Sequence, residues 1–228
     1  MITGRRAEPL ESAALRLGRD TGGTVHALVS DVSEPKSAEA AVAGVEGLLG
    51  ELDVLVLNAG GPPPGRILDV DDERWQQAFE LLLLGPLRLA RLALPRMAAQ
   101  GFGRVVITTS TAVRQPQPDL ATSVVLRSAV TAAAKLLSRE FAAEGVTVNC
   151  VAPGATATGR RREILENRAR STGAAFEELD AADAADIPTG RPARPGEIGA
   201  AVAFLASADA GYINGTVLTV DGGRTETI

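Results

Sequence analysis

Short apolar runs alternating with longer helical patterns limit what this chain can fold into more than any other feature. The runs are Leu52 to Gly60 (LDVLVLNAG), Gly103 to Ser110 (GRVVITTS), Gly145 to Gly154 (GVTVNCVAPG) and Gly215 to Gly223 (GTVLTVDGG). A weaker run, TVHALVSDV, spans Thr24 to Val32. Continuous Val, Leu and Ile, rather than strict polar alternation, predict strands covered on both faces, as in a parallel sheet. Helical patterns fill the intervals Pro35 to Leu49, Asp71 to Ala99, Leu120 to Glu144 and Pro195 to Ala206. Asp72 is a candidate cap for the second, and Pro195 with Glu197 suits the start of the last. Strand and helix in turn predict an α/β fold, a doubly wound parallel sheet.

A chain of 228 residues holds one domain with a full core. Aromatic residues make up 3% of it, so that core is built from Ala, Val, Leu and Ile. A net charge of −5 argues against nucleic acid as a partner, because phosphate binding calls for a basic field. The longest apolar run, FELLLLGPLRLA, is broken by Gly85, Pro86 and Arg88, so no membrane span is predicted. The single cysteine, Cys150, reads as a small buried hydrophobe, and the expected setting is a reducing, cytoplasmic one.

Four motifs stand at predicted strand ends: Asp31-Val32, Asn58-Ala59-Gly60, the stretch Pro153 to Thr158 (PGATAT), and Val220 to Gly223 (VDGG). Each is weak alone. In this order the chain resembles a short-chain dehydrogenase/reductase over essentially its whole length. Ligands of open α/β sheets bind beyond the carboxyl ends of the strands, where these motifs lie. The resemblance implies a Rossmann-like sheet, with Asp31 and Val32 holding the adenine and Asn58, Ala59 and Gly60 lining the adenosine ribose side. It places Pro153 and Gly154 on the nicotinamide, with Thr158 near its carboxamide. Such glycines also simply end strands.

The opening stretch, ITGRRAEPLESAALRLG, resembles the family's second strand and following helix, with Arg5 at the adenosine 2′ position. An acidic residue there accepts bonds from a free 2′-hydroxyl, whereas arginine suits a 2′-phosphate, so the implied cofactor is NADP rather than NAD. Nothing in the chain resembles the family's glycine-rich turn after a first strand, so the fold is expected to be N-terminally incomplete. The missing unit would be roughly 30 residues and would leave two strands without their neighbour. A start codon assigned too late is the favoured explanation, and an in-frame upstream coding sequence tests it.

The family's chemistry uses Asn, Ser, Tyr and Lys. Here SVVLR fills the slot of its Y-x-x-x-K, so Ser123 stands for the tyrosine and Arg127 for the lysine. Ser110, thirteen residues before Ser123, keeps the serine position, and Leu82, seven after Trp75, takes the asparagine slot. A serine hydroxyl is a poor proton donor near neutrality, its pKa lying far above the tyrosine value of about 10. Arg127 stays charged and can bind a ribose or polarise a carbonyl. Tyr212 and His26 lie outside this helix and are poor stand-ins; Asp119, four residues before Ser123, is a lesser candidate for acid–base work through water, since a loop aspartate more often caps a turn. S-x-x-x-R after a QP loop (Gln115, Pro116) resembles a divergent branch of these reductases.

The first reading is therefore an NADP(H)-dependent oxidoreductase similar to 3-oxoacyl-carrier-protein reductases. It would act on a small carbonyl compound or secondary alcohol through Ser110, Ser123, Arg127 and water. The second is a catalytically impaired nucleotide-binding or scaffold member of the same fold. Family resemblance further implies a homotetramer or homodimer. The charged segment 159–186, which lies between two core elements, is expected to be a substrate-side lid rich in arginine.

Overall fold

The computed structural model describes residues 1–227, and its core is a four-stranded parallel sheet in the order β3-β4-β5-β6. These strands are β3 (Val54–Leu57), β4 (Gly103–Thr108), β5 (Val146–Pro153) and β6 (Val217–Val220). A separate two-stranded parallel sheet pairs β1 (Ile2–Gly4) with β2 (Ala27–Val29), and no described strand joins β1 to β3. The two strands expected to lose their neighbour do so.

The apolar runs are continuous because helices cover both faces. On one face Val105 and Ile107 of β4 and Val148 and Cys150 of β5 pack with Leu94 and Met97 of α4 (Gly85–Gln100). Val130 and Ala134 of α5 (Ala121–Glu140) complete that layer. On the other face Val106 and Val151 meet Leu205 of α8 (Pro195–Ala206), flanked by Ile198 and Val202. Alternate residues thus serve opposite layers, as a doubly wound sheet requires. Gly103 is needed here, since a Cβ would sit 2.6 Å from that of Met97.

Local signals set most boundaries. The first helix, α1 (Ala7–Thr21), stops at Gly22, whose φ of 69° is left-handed, and α2 (Pro35–Leu49) opens on its proline. Three expectations are corrected. The cap of α3 (Asp72–Phe79) is Asp71, whose carboxylate accepts from the Arg74 N–H at 2.8 Å; Asp72 is the first helical residue. The helix expected over Asp71 to Ala99 is interrupted by a π-helical segment, Glu80–Leu84, between α3 and α4. At its exit Gly85 lies so close to the Val32 carbonyl oxygen that a Cβ would come within 2.3 Å. Finally, β2 is three residues long, so Asp31 and Val32 lie beyond it in a turn instead of ending a strand from Thr24. The charged segment forms two helices, α6 (Gly159–Thr172) and α7 (Phe176–Ala185).

Candidate active site

At the carboxyl ends of β3, β4 and β5 a cavity of about 650 Å³ opens, lined by Asn58, Ala59, Gly60, Ser110, Ser123, Arg127, Pro153, Gly154 and Thr158 among others. Nine of the twelve residues expected to form the site therefore meet in one place. Arg5, Asp31 and Val32 do not line this cavity; they belong to the β1–β2 side. There they lie together: Asp31 accepts from the Ser33 N–H at 3.0 Å and from the Ser33 hydroxyl, with Arg5 close enough to act on its charge. Burial raises the Asp31 carboxyl, but the two Ser33 bonds and Arg5 outweigh it and hold it below its usual value.

The opening turns of α5 bring Ser123 and Arg127 onto one face, four residues apart. Arg127 Nε donates to Ser123 Oγ at 3.2 Å, Nη1 to the Thr108 carbonyl at 2.7 Å and Nη2 to the Ala59 carbonyl at 3.3 Å. One guanidinium thus ties the helix to the ends of β3 and β4. It is 9% exposed, and among the described residues no carboxylate comes within salt-bridge distance. Burial, helped by the charge of Arg160, draws its pKa down to about 10, which leaves it a cation at neutrality.

Ser110 follows β4 in an extended conformation, and its oxygen accepts from the Ala112 N–H at 3.1 Å. That bond orients the hydroxyl and leaves its proton free for another acceptor. Thr158 caps α6, accepting from the Arg161 N–H. Gly154 has a packing reason to be glycine, since a Cβ would meet that of Asp221 at 2.6 Å. Asp221 in turn receives the Gly223 and Thr225 N–H groups, so PG and VDGG support one another.

Leu82, in the asparagine slot, is 2% exposed and packs with Ala78 and Leu126, so this position now belongs to the apolar core. Asp119 is not free for acid–base work. It receives Arg168 Nε at 2.7 Å and Arg168 Nη2 at 3.1 Å. Tyr212 is fully exposed, and neither it nor His26 lines the cavity.

Several lining residues carried no individual expectation: Arg160, Arg161, Ile164, Leu165 and Arg168 of α6, Asp183 of α7, and Arg224. Ion pairs hold all four of these arginines, Arg160 through Glu163 in its own helix. Arg161 bonds Asp180 and Asp183, Arg224 bonds Asp183 and Asp186, and Arg168 bonds Asp119. Their signal was the arginine-rich start of α6 directly after Thr158, together with Arg224 directly after VDGG.

Comparison with known proteins agrees with this geometry. A family model described as enoyl-(acyl carrier protein) reductase matches residues 1–225. The 3-oxoacyl-[acyl-carrier-protein] reductase FabG of Haemophilus influenzae is 32% identical over 213 residues, covering 93% of this chain and 84% of that protein. Among solved structures, the L-sorbose reductase of Gluconobacter frateurii, complexed with NADPH and L-sorbose, superposes with a TM-score of 0.92 at 30% identity, covering 99% of this chain and 86% of that one. YwfH, an NADPH-dependent reductase involved in bacilysin biosynthesis, reaches 0.93 at 27% identity, covering 100% of this chain and 88% of that one. Motifs at the strand ends, a doubly wound parallel sheet and these matches converge: the chain belongs to the short-chain dehydrogenase/reductase family.

Proposed function

We propose that the chain is an NADP(H)-dependent reductase that interconverts a small carbonyl compound and a secondary alcohol. The observation that carries this reading is the gathering of Ser110, Ser123 and Arg127 with Asn58–Gly60, Pro153–Gly154 and Thr158 around one cavity. The cavity fits a nicotinamide nucleotide in its chemistry. The Gly60 backbone is bare, with nothing within 4 Å of where a Cβ would stand, and Arg127 offers a buried positive charge. Pro153, Gly154 and Thr158 would hold the nicotinamide, Asn58, Ala59 and Gly60 would line the adenosine ribose side, and Asp31, Val32 and Arg5 would hold the rest of the adenosine half, with Arg5 on a 2′-phosphate. When bound, the cofactor supplies or accepts the hydride.

The chain's own residues handle the oxygen. The Ser110 hydroxyl donates to the carbonyl oxygen, while the Arg127 guanidinium stabilises the negative charge that develops there. The proton that completes the alcohol comes from water, because neither the Ser123 hydroxyl nor Arg127 is a competent donor at neutral pH. Ser123 keeps Arg127 aimed by accepting its Nε proton. The helices α6 and α7 form the lid of this site, and the exposed apolar side chains Val125 and Leu136 on α5 suit a homodimer or homotetramer interface.

NADPH consumption with a panel of ketones tests the reading. A substrate-dependent rate that falls at least tenfold in Ser110→Ala is expected. Rates equal to a no-protein control across the panel overturn it. If NADPH still binds in that case, the chain is a nucleotide-binding member of the fold without turnover, as the replaced Asn, Tyr and Lys slots would then indicate.

A further inference from the structure

Arg127 holds more hydrogen-bonding capacity and more charge than its neighbours use. Three of its five N–H groups go to neutral oxygens, which leaves one on each terminal nitrogen without a protein acceptor. A buried guanidinium without a counter-charge is costly to keep. The chain's other buried arginine, Arg104, also lacks a carboxylate. It lies outside the cavity, and carbonyls of Gly103, Gly145 and Ser207 and the Phe102 ring surround it. Arg127 instead borders open space, and a second arginine faces it.

That second cation is Arg160, in the first turn of α6. It lines the same cavity and acts on Arg127 by its charge. Gly61 makes room for it: a Cβ there would stand 2.6 Å from Arg160 Nε. Arg160 is held by the Pro62 carbonyl and by Glu163, whose carboxylate is half exposed. Both arginines line one cavity, and among the described residues Glu163 is the only carboxylate paired with either, so an anion between them would relieve the repulsion that Arg160 exerts on Arg127. Ile164, Leu165, Ile198 and Val202 supply an apolar part of the wall, and the further arginines that line it, Arg161, Arg168 and Arg224, are each held by aspartate.

We propose that Arg127 and Arg160 form an anion site for the substrate, and that the carbonyl compound reduced here bears a carboxylate on an apolar body. The planar guanidinium fork suits a carboxylate better than a neutral ester or amide. This assignment rests on the reductase reading for the word substrate, but the anion site can be measured without turnover.

The probe is malonate, titrated calorimetrically into the cofactor-free chain. Saturable binding is expected, weakened at least tenfold in Arg160→Gln and unchanged in Arg162→Gln, whose side chain points to solvent beside Glu166. Arg127→Lys, which keeps the charge but loses the fork, is expected to weaken it as well. The titration is then repeated with saturating NADPH. Continued binding supports a substrate site, whereas displacement by NADPH assigns the two arginines to the cofactor and overturns the proposal. No saturable binding, or equal loss in Arg160→Gln and Arg162→Gln, also overturns it. In turnover, acetoacetate is expected to exceed methyl acetoacetate at least tenfold in kcat/KM, and parity or ester preference overturns the proposal. If neither compound is reduced while malonate binding follows the expected pattern, the reductase reading fails and the anion site stands.

Discussion

The sheet β3–β6 and the sheet β1–β2 are built from the same strand-and-helix unit but are supported very differently. In the larger sheet β4 pairs on both edges, and Val106, Val148 and Val151 are fully buried between helical layers. In the smaller sheet each strand has three residues and one partner, and Val29 is 55% exposed. The burial there lies at Leu10 and Ala14 of α1, which packs on both strands, whereas Ala38, Ala41 and Val42 belong to α2, which packs on α4. Strands without flanking neighbours hold few cooperative hydrogen bonds, so the two regions should differ in local stability more than in fold.

Amide hydrogen exchange gives the largest contrast. The amides of Val105, Val106, Val148 and Val151 are expected to exchange only on global unfolding. Those of Thr3, Gly4 and Leu28 should exchange roughly a thousandfold faster, by local opening. Similar protection in both sheets would break the comparison.

Core truncation sharpens the same contrast. Leu94 of α4 is 1% exposed in the main core, so Leu94→Ala should cost about 3 kcal/mol in urea unfolding. Leu10→Ala, behind the smaller sheet, is expected to shift the global midpoint by less than ~1 kcal/mol, because that region opens first. It should instead raise exchange in β1 and β2. Equal midpoint shifts would show that both sheets unfold as one unit.

The two regions also divide the proposed chemistry, with the reacting groups on the larger sheet and Arg5 on the smaller. Arg5→Glu should lower the NADPH-to-NADH preference about tenfold while leaving the ketone KM in place. A change in ketone KM with no change in cofactor preference would remove Arg5 from the adenosine side.

Legibility followed the same division. The limits of α2 and α8 could be read residue for residue because a proline opens each and apolar periodicity carries them. Strands β4 and β5 were visible because burial on both faces makes them continuously apolar. The strand expected over Thr24 to Val32 was too long because a strand with one partner keeps fewer residues in its ladder. The π-helical turn Glu80–Leu84 was invisible, since four consecutive leucines fit any helical repeat. At the site, Ser110, Ser123 and Arg127 were named from the family resemblance, which assigns their slots, and one helix and one strand end bring them to the same cavity. The placing of Arg160 and Arg168 did not, because Arg160 meets the Pro62 carbonyl and Arg168 meets Asp119, both far away in the chain.

Two carboxylates, one in each region, allow a last and smaller test. Burial pushes Asp119 up, but the hydrogen bonds and charge of Arg168 outweigh it, and its carboxyl lies below the usual 3.8. A depressed folded-state pKa means that the contact contributes fully above the ordinary value and is lost as pH falls through the lower one. The pair is about one-third exposed on each side, so its worth is roughly 0.5–1 kcal/mol. Arg168→Gln should therefore raise exchange in α6 a few fold at neutral pH with little change in global stability. In the unaltered chain, α6 protection should hold down to about pH 4 and fall below it. The turn at Asp31 should loosen over the same range, since its carboxyl is lowered too, by Ser33 and Arg5 acting against burial. If α6 protection already declines between about pH 6 and pH 5, where neither carboxylate titrates, some other group holds the helix over the site.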